Sequence, residues 1–231
     1  MTIKEYLRDG SLAGSVVVTE CIDGERPIVR TSHTWFHPQG GGQKGDRGKI
    51  GDAAILDVRH AVGGDVDHYV SSLSGLTAGN EYPFVVDVDW RRTNAIYHSA
   101  GHLLAAAFEE MFPGLKAING HQWPGEARVE FSGECLTEAI QELNSVSARI
   151  EEIVQSGAPI LVQGDPFSDR SIKIGDFAAI PCGGTHARST TELGVIRIRT
   201  AKIKGGLLRV SYEVDLGKEP NRGLDGEEIN T

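Results

Sequence analysis

Two short patterns in the chain have the residue types and spacing to hold a metal ion. His98-Ser99-Ala100-Gly101-His102 places two imidazoles four residues apart, which on a helix puts them on one face. Pro181-Cys182-Gly183-Gly184-Thr185-His186 places a thiol and an imidazole at the same spacing, in a polar glycine turn behind a strand. Taken alone, each has an ordinary reading: a solvated or capping histidine pair, and a cysteine inert in the core. Taken together, His98, His102, Cys182 and His186 are one thiolate and three imidazoles. That set suits zinc better than magnesium or calcium, which prefer oxygen ligands. One zinc per chain is expected, binding two separate elements to each other. The histidine pattern is not the zincin HExxH, because Ser99 stands where that motif has its glutamate.

The elements that must position these residues are legible in outline. From Thr93 to Phe112 the apolar residues Ile96, Ala100, Leu103, Leu104, Ala107 and Met111 recur at helical spacing, with Thr93 as N-cap and Pro113-Gly114 as the stop. His98 and His102 fall roughly opposite that stripe, flanked by the small residues Ser99, Gly101, Ala105 and Ala106. A second helix is predicted from Thr137 to Ser156, striped by Ile140, Leu143, Val146, Ile150 and Ile153 and ended by Gly157. Strands are predicted at 160–163, 177–180, 195–204 and 207–214, the last two forming a hairpin around Gly205-Gly206.

The first ninety residues read differently. Short β-branched runs at 15–19, 27–31, 53–58 and 84–88, separated by turn residues, predict a small barrel. The expected fold class is therefore α+β: a β-barrel subdomain over 1–90, a zinc-binding α+β domain over 91–215, and a mobile polar tail over 216–231. Glycine is over-used, 29 of 231 residues, and six glycines crowd positions 40–51. Gly40-x-Gly42-x-x-Gly45 formally fits a dinucleotide fingerprint, but turn and strand follow it rather than a helix, and the GK[ST] of a phosphate loop is missing.

The chain carries 23 basic and 32 acidic residues, a net −9, which argues against nonspecific coating of nucleic acid. No apolar run approaches the length of a membrane span, and the first residues are too mixed in charge for a signal peptide. Three widely spaced cysteines argue against a disulfide framework, so a cytoplasmic setting is expected.

His98-x-x-x-His102 followed by Cys182-Gly-Gly-Thr-His186 resembles the editing domain of alanyl-tRNA synthetase and its freestanding relatives, the AlaX proteins. Threonyl-tRNA synthetase editing domains share a similar metal pattern. The segment Thr34-Trp-Phe-His-Pro-Gln-Gly-Gly-Gly-Gln-Lys-Gly-Asp46 resembles the T-x-F-Y-P-x-G-G-G-Q-x-G-D of the alanine system and favours that branch. The likeness runs from about residue 10 to 214. Since 231 residues leave no room for an aminoacylation domain, the expected form is the freestanding one. His37 replaces the usual tyrosine, HSAGH the usual HTATH, and Ala187 the usual valine; no proposed ligand is lost.

The resemblance implies a zinc-dependent deacylase for mischarged alanine tRNA, chiefly Ser-tRNA(Ala), with no need for ATP and no DNA or membrane partner. It implies that Thr34 reads the serine hydroxyl, that Gln122 acts in catalysis, and that Gly41 and Gly42 form a backbone platform against the catalytic half. His121 is expected as pocket wall or polar contact. Arg197, Arg199, Lys202 and Lys204, alternating with Ile196, Ile198 and Ile203, share a strand face and can grip acceptor-end phosphates, or can be a solvated face. Two other readings stay open: a tRNA-binding module with a structural zinc and no turnover, and a hydrolase for another ester such as threonyl-tRNA or glycyl-tRNA.

Overall fold

The structure is a computed structural model and describes residues 1–217; the tail expected over 216–231 lies, from residue 218 onward, outside the described residues. The N-terminal half contains β1 (Ile3–Lys4), β2 (Ala13–Ile22), β3 (Ile28–Thr31), β4 (His33–Thr34), β5 (Gly48–Ile50), β6 (Ala53–His60), β7 (Val66–Val70) and β8 (Glu81–Val86). Six of these close into a barrel in the order β2-β3-β7-β6-β5-β8, while β1 pairs with β4 beside it. Strand alternation fills the barrel: Val16, Val18, Val29, Val58, Val66, Val70 and Val86 point inward around Phe36 and Phe84. Fully burying each such side chain contributes roughly 1.5–3 kcal/mol.

The second half is built around α1 (Val88–Met111), followed by β9 (Leu115–His121), β10 (Arg128–Gly133), α2 (Leu136–Gln141) and α3 (Leu143–Ser156). It continues with β11 (Ile160–Gln163), β12 (Ser171–Ile174), β13 (Ile180–Pro181), β14 (Val195–Lys204) and β15 (Leu207–Asp215). The sheet β14-β15-β10-β9 packs against α1 and α3, and β11-β12-β13 form a separate three-stranded sheet. The fold is α+β.

Three expectations are corrected. Helix α1 starts five residues before Thr93, because the Asp87 side chain accepts the Trp90 N–H and serves as the cap. The second helix is broken at Glu142, whose φ/ψ of −98°/18° leaves the helical region between α2 and α3. The strand expected at 177–180 shrinks to β13, because Phe177 N–H closes a turn onto Ile174 C=O. By contrast, Gly157 in left-handed geometry ends α3, and Gly205 and Gly206 with φ of 61° and 76° make the β14–β15 turn. No helix among the described residues is long and apolar enough to cross a membrane.

Candidate metal centre

Helix α1 is buried on nearly every side, so His98 does not look into solvent; it is 2% exposed. The loop after β13 brings Cys182 and His186 over the helix, and one ligand atom from each of His98, His102, Cys182 and His186 lies within 4.8 Å of all the others. Cys182 Sγ is 3.5 Å from His98 Nε2 and 3.3 Å from His102 Nε2. Bonds of about 2.0–2.3 Å to a tetrahedral zinc would separate the ligand atoms by roughly 3.5 Å. The cluster is therefore close to the size that a single ion needs.

Hydrogen bonds turn the rings the right way. Gln43 Oε1 accepts from His98 Nδ1 (2.7 Å) and from Thr185 N–H (2.9 Å), while its Nε2 donates to Thr185 Oγ1 (2.7 Å). With Nδ1 as donor, His98 keeps Nε2 free for a metal. Ser99, in the place of the zincin glutamate, is a clamp: it donates to Ala95 C=O, accepts from Ala187 N–H, and lies 3.3 Å from His186 Nδ1. His186 Nε2 is left buried with no partner. An orphaned buried nitrogen facing a thiol and two imidazoles fits a metal site and has no structural use otherwise. Arg170 holds the Cys182 carbonyl at 2.5 Å. Gly184 gives the room: a Cβ there would meet His98 Cε1 at 2.0 Å.

The electrostatics favour neutral ligands. Burial pushes His102 down to about 4, and burial together with the neighbouring rings pushes His98 and His186 well below the usual histidine range. Burial also pushes the Cys182 thiol up, against the Gly184 N–H and Arg170. A cation in the cluster would supply the missing positive charge and favour the thiolate.

A cavity of about 490 Å³ opens beside His98 and His102 and is lined also by Gly41, Gly101, Ala105, Ala106 and Gln122. Gln122 lies across Gly101, where a Cβ would meet its amide at 2.4 Å, and its Oε1 accepts from Tyr212 Oη at 2.5 Å. Gly42, with φ of +82°, presses against β9: its C=O accepts Gln122 N–H, and a Cβ would meet Gly120 O at 2.5 Å. Just beyond, Asp46 forms a buried, bidentate ion pair with Arg91 of α1. The glycine segment is thus fastened to the second half from both ends. Gln43 and Asp46 stand in the motif with no local signal of a role; only the fold brings them to His98 and Arg91.

Other candidate residues lie elsewhere. Thr34 does not line the cavity: it is buried at the barrel, where its hydroxyl meets His68 Nε2 (2.8 Å) and accepts Phe36 N–H (3.1 Å). Fully buried and engaged on both sides, this hydroxyl faces the barrel interior. His121 is not part of the cavity wall either; strand alternation turns it away from Gly120 and Gln122, and its ring packs tilted against Trp123, centroids 4.4 Å apart. Arg197, Arg199, Lys202 and Lys204 are exposed along β14. Arg197 pairs with Asp215 and Arg199 with Glu213, while Lys202 and Lys204 have no ion pair among the described residues.

Comparison with known proteins adds relatives to this geometry. Residues 170–211 match the family described as the threonyl and alanyl tRNA synthetase second additional domain. The alanyl-tRNA editing protein AlaX-L of Pyrococcus horikoshii is 27% identical over 81% of this chain and 51% of its own length. The alanine–tRNA ligase of a Nocardioides species is 30% identical over 95% of this chain and 27% of the ligase; that of Acidothermus cellulolyticus is 32% identical over 90% and 26%. The chain spans about half the length of the editing protein and about a quarter of the ligases. By these likenesses the chain is similar to an alanyl-tRNA editing protein and to a segment of alanine–tRNA ligases.

Proposed function

We propose that this protein hydrolyses the aminoacyl ester of mischarged alanine tRNA, chiefly Ser-tRNA(Ala), with one zinc held by His98, His102, Cys182 and His186. The observation that carries this reading is the convergence of the four ligand atoms within 4.8 Å at the wall of a cavity large enough for an aminoacyl group. When bound, zinc supplies a Lewis acid that can polarise the ester carbonyl or lower the pKa of water to about 7. Gln43 fixes the His98 tautomer, and Ser99 orients His186. Gly41 and Gly42 form the wall beneath the glycine segment. Gln122, its carbonyl engaged by Tyr212, offers its Nε2 to the cavity as a donor. We assign the serine hydroxyl to Gln122 or to the metal rather than to Thr34, whose hydroxyl is buried in the barrel and outside the cavity. Lys202 and Lys204 contact acceptor-end phosphates, and the setting is cytoplasmic.

Four protein donors are also the number found in closed structural sites, which favours the second reading, a tRNA-binding module without turnover. The cavity beside His98 and His102 speaks for chemistry. Single-turnover deacylation across a panel of mischarged tRNAs decides between them. Loss of Ser-tRNA(Ala) with Ala-tRNA(Ala) spared is the expected result. No deacylation in protein carrying a full equivalent of metal would establish the structural reading, and faster loss of a threonyl or glycyl ester would reassign the substrate.

A further inference from the structure

One residue on from Gln43 and from Gln122 in the chain lies a patch that the chemistry above does not use. Lys44 Nζ sits 4.8 Å from the Trp123 ring centroid and 5.6 Å from that of Trp90, and the Arg47 guanidinium lies 3.7 Å over Trp90. Three separate stretches of chain meet here: the glycine segment, the first turn of α1 and the turn after β9. The rings are held in place, Trp90 by a hydrogen bond from Nε1 to Gly45 C=O (2.9 Å) and Trp123 by its tilted contact with His121, the planes 37° apart. All four side chains reach solvent: Arg47 is exposed, and Lys44, Trp90 and Trp123 are half-buried.

The two cations combine an aromatic face with the lack of an acidic partner. Arg197, Arg199 and Arg209 each face a carboxylate, whereas neither Lys44 nor Arg47 has an ion pair among the described residues. Cations resting on aromatic faces without an acidic partner leave their charge available to an external anion. The patch is joined to the cavity wall through the backbone, and Trp123 packs on His121, the side of the chain turned away from Gln122. Trp123 follows Gln122 and Lys44 follows Gln43, and Gln122 N–H is bonded to Gly42 C=O.

We propose that Lys44, Arg47, Trp90 and Trp123 form a stacking platform for the unpaired nucleotides that precede an esterified terminal nucleotide, with bases against the indoles and phosphates against the cations. The proposal rests on the reading of the cavity as an aminoacyl-ester site. Flat aromatic faces joined to positive charge suit single strands, whose bases are free to stack, and not duplexes, whose bases already are. The platform would hold the strand while its terminal ester enters the cavity beside His98 and His102.

The test uses the full chain with its metal and a 5′-labelled, uncharged RNA tetranucleotide ending in CCA, read by fluorescence anisotropy. The same sequence closed into a hairpin stem and an acidic peptide of similar charge serve as competitors. The expected result is binding of the open strand, weakened roughly tenfold in Trp123→Leu and in Arg47→Ala and largely kept in Trp123→Phe. Arg47 is exposed, so that variant carries the test even if Trp123→Leu fails to fold. Equal binding of the hairpin, equal competition by the peptide, or an affinity unchanged in Arg47→Ala and Trp123→Leu would overturn the proposal. Because the RNA is uncharged, strand binding that depends on Trp123 in a protein with no deacylase activity would support the platform and remove the hydrolase. Deacylation indifferent to both variants would do the reverse.

Discussion

The two halves of the molecule both bury histidines, and they treat them in opposite ways. In the barrel, His68 is fully served: Nδ1 meets Val29 C=O at 3.0 Å and Nε2 meets the Thr34 hydroxyl at 2.8 Å. His37, in the glycine segment beside the barrel, reaches Lys44 C=O through Nδ1 at 3.3 Å and packs edge-on against Tyr6. In the second half, His186 Nε2 has no partner, and the Nε2 atoms of His98 and His102 converge on Cys182 Sγ. Burial by itself therefore says little about function. A buried imidazole with its hydrogen bonds satisfied belongs to the scaffold; one left unsatisfied beside two that meet only a thiol makes a place for a ligand.

The sharpest way to break this contrast is to remove a ligand. Cys182→Ala is expected to bring metal content below a tenth of an equivalent, to lower deacylation at least a hundredfold and to lower the melting temperature, since metal binding is partly folding free energy. Elemental analysis and thermal melting of the same preparation check this. Stoichiometric metal in the variant would remove Cys182 from the site.

The barrel histidines should fail in acid instead. An unfolded histidine protonates near pH 6.5, whereas burial pushes His68 down to about 4 and burial with Arg91 pushes His37 down to about 3. Between these values the unfolded chain binds more protons than the fold. Stability is thus complete above pH 6.5 and falls as pH drops toward 4, by on the order of 3 kcal/mol for His68 alone. Urea midpoints of metal-free protein measured from pH 7.5 to 4.5 should show this slope added to that of buried His98, His102 and His186, and His68→Gln should make it shallower. An equal slope in that variant would place the acid sensitivity elsewhere.

Thr34→Val sharpens the same line from the other side. It strands His68 Nε2 and Phe36 N–H inside the barrel, a cost of roughly 1–3 kcal/mol. Chemical denaturation should report that loss while the ratio of seryl to alanyl ester hydrolysis stays within a factor of two. A collapsed ratio would return Thr34 to substrate recognition. The smallest effect is expected on β14. Neutralising Lys202 and Lys204 to Gln should raise KM a few-fold and reduce the salt slope by up to about 2, with kcat nearly constant. A fall in kcat at unchanged KM would mean that these lysines act on the transition state.

Much of the candidate centre was legible because its signals are local. Four-residue spacing on a helix and in a glycine turn names His98, His102, Cys182 and His186 without any knowledge of the fold, and period-two and period-3.6 patterns separate a barrel from a helical half. Local signals failed where a partner from another element decides the outcome. Asp87 caps α1 from outside its apolar stripe. His121 and Gln122 are neighbours, yet only Gln122 faces the cavity.

The amino-acid sequence by itself determined the donor chemistry of the cluster, the two-part α+β character and the glycine segment as unusual backbone. Only the tertiary structure decided which polar groups are already spent. Thr34 and Gln43 are both polar residues of one motif; the first saturates a barrel histidine, and the second reaches across to orient His98. A side chain's type sets what it can bond, but whether a bond remains to offer depends on what long-range packing places beside it.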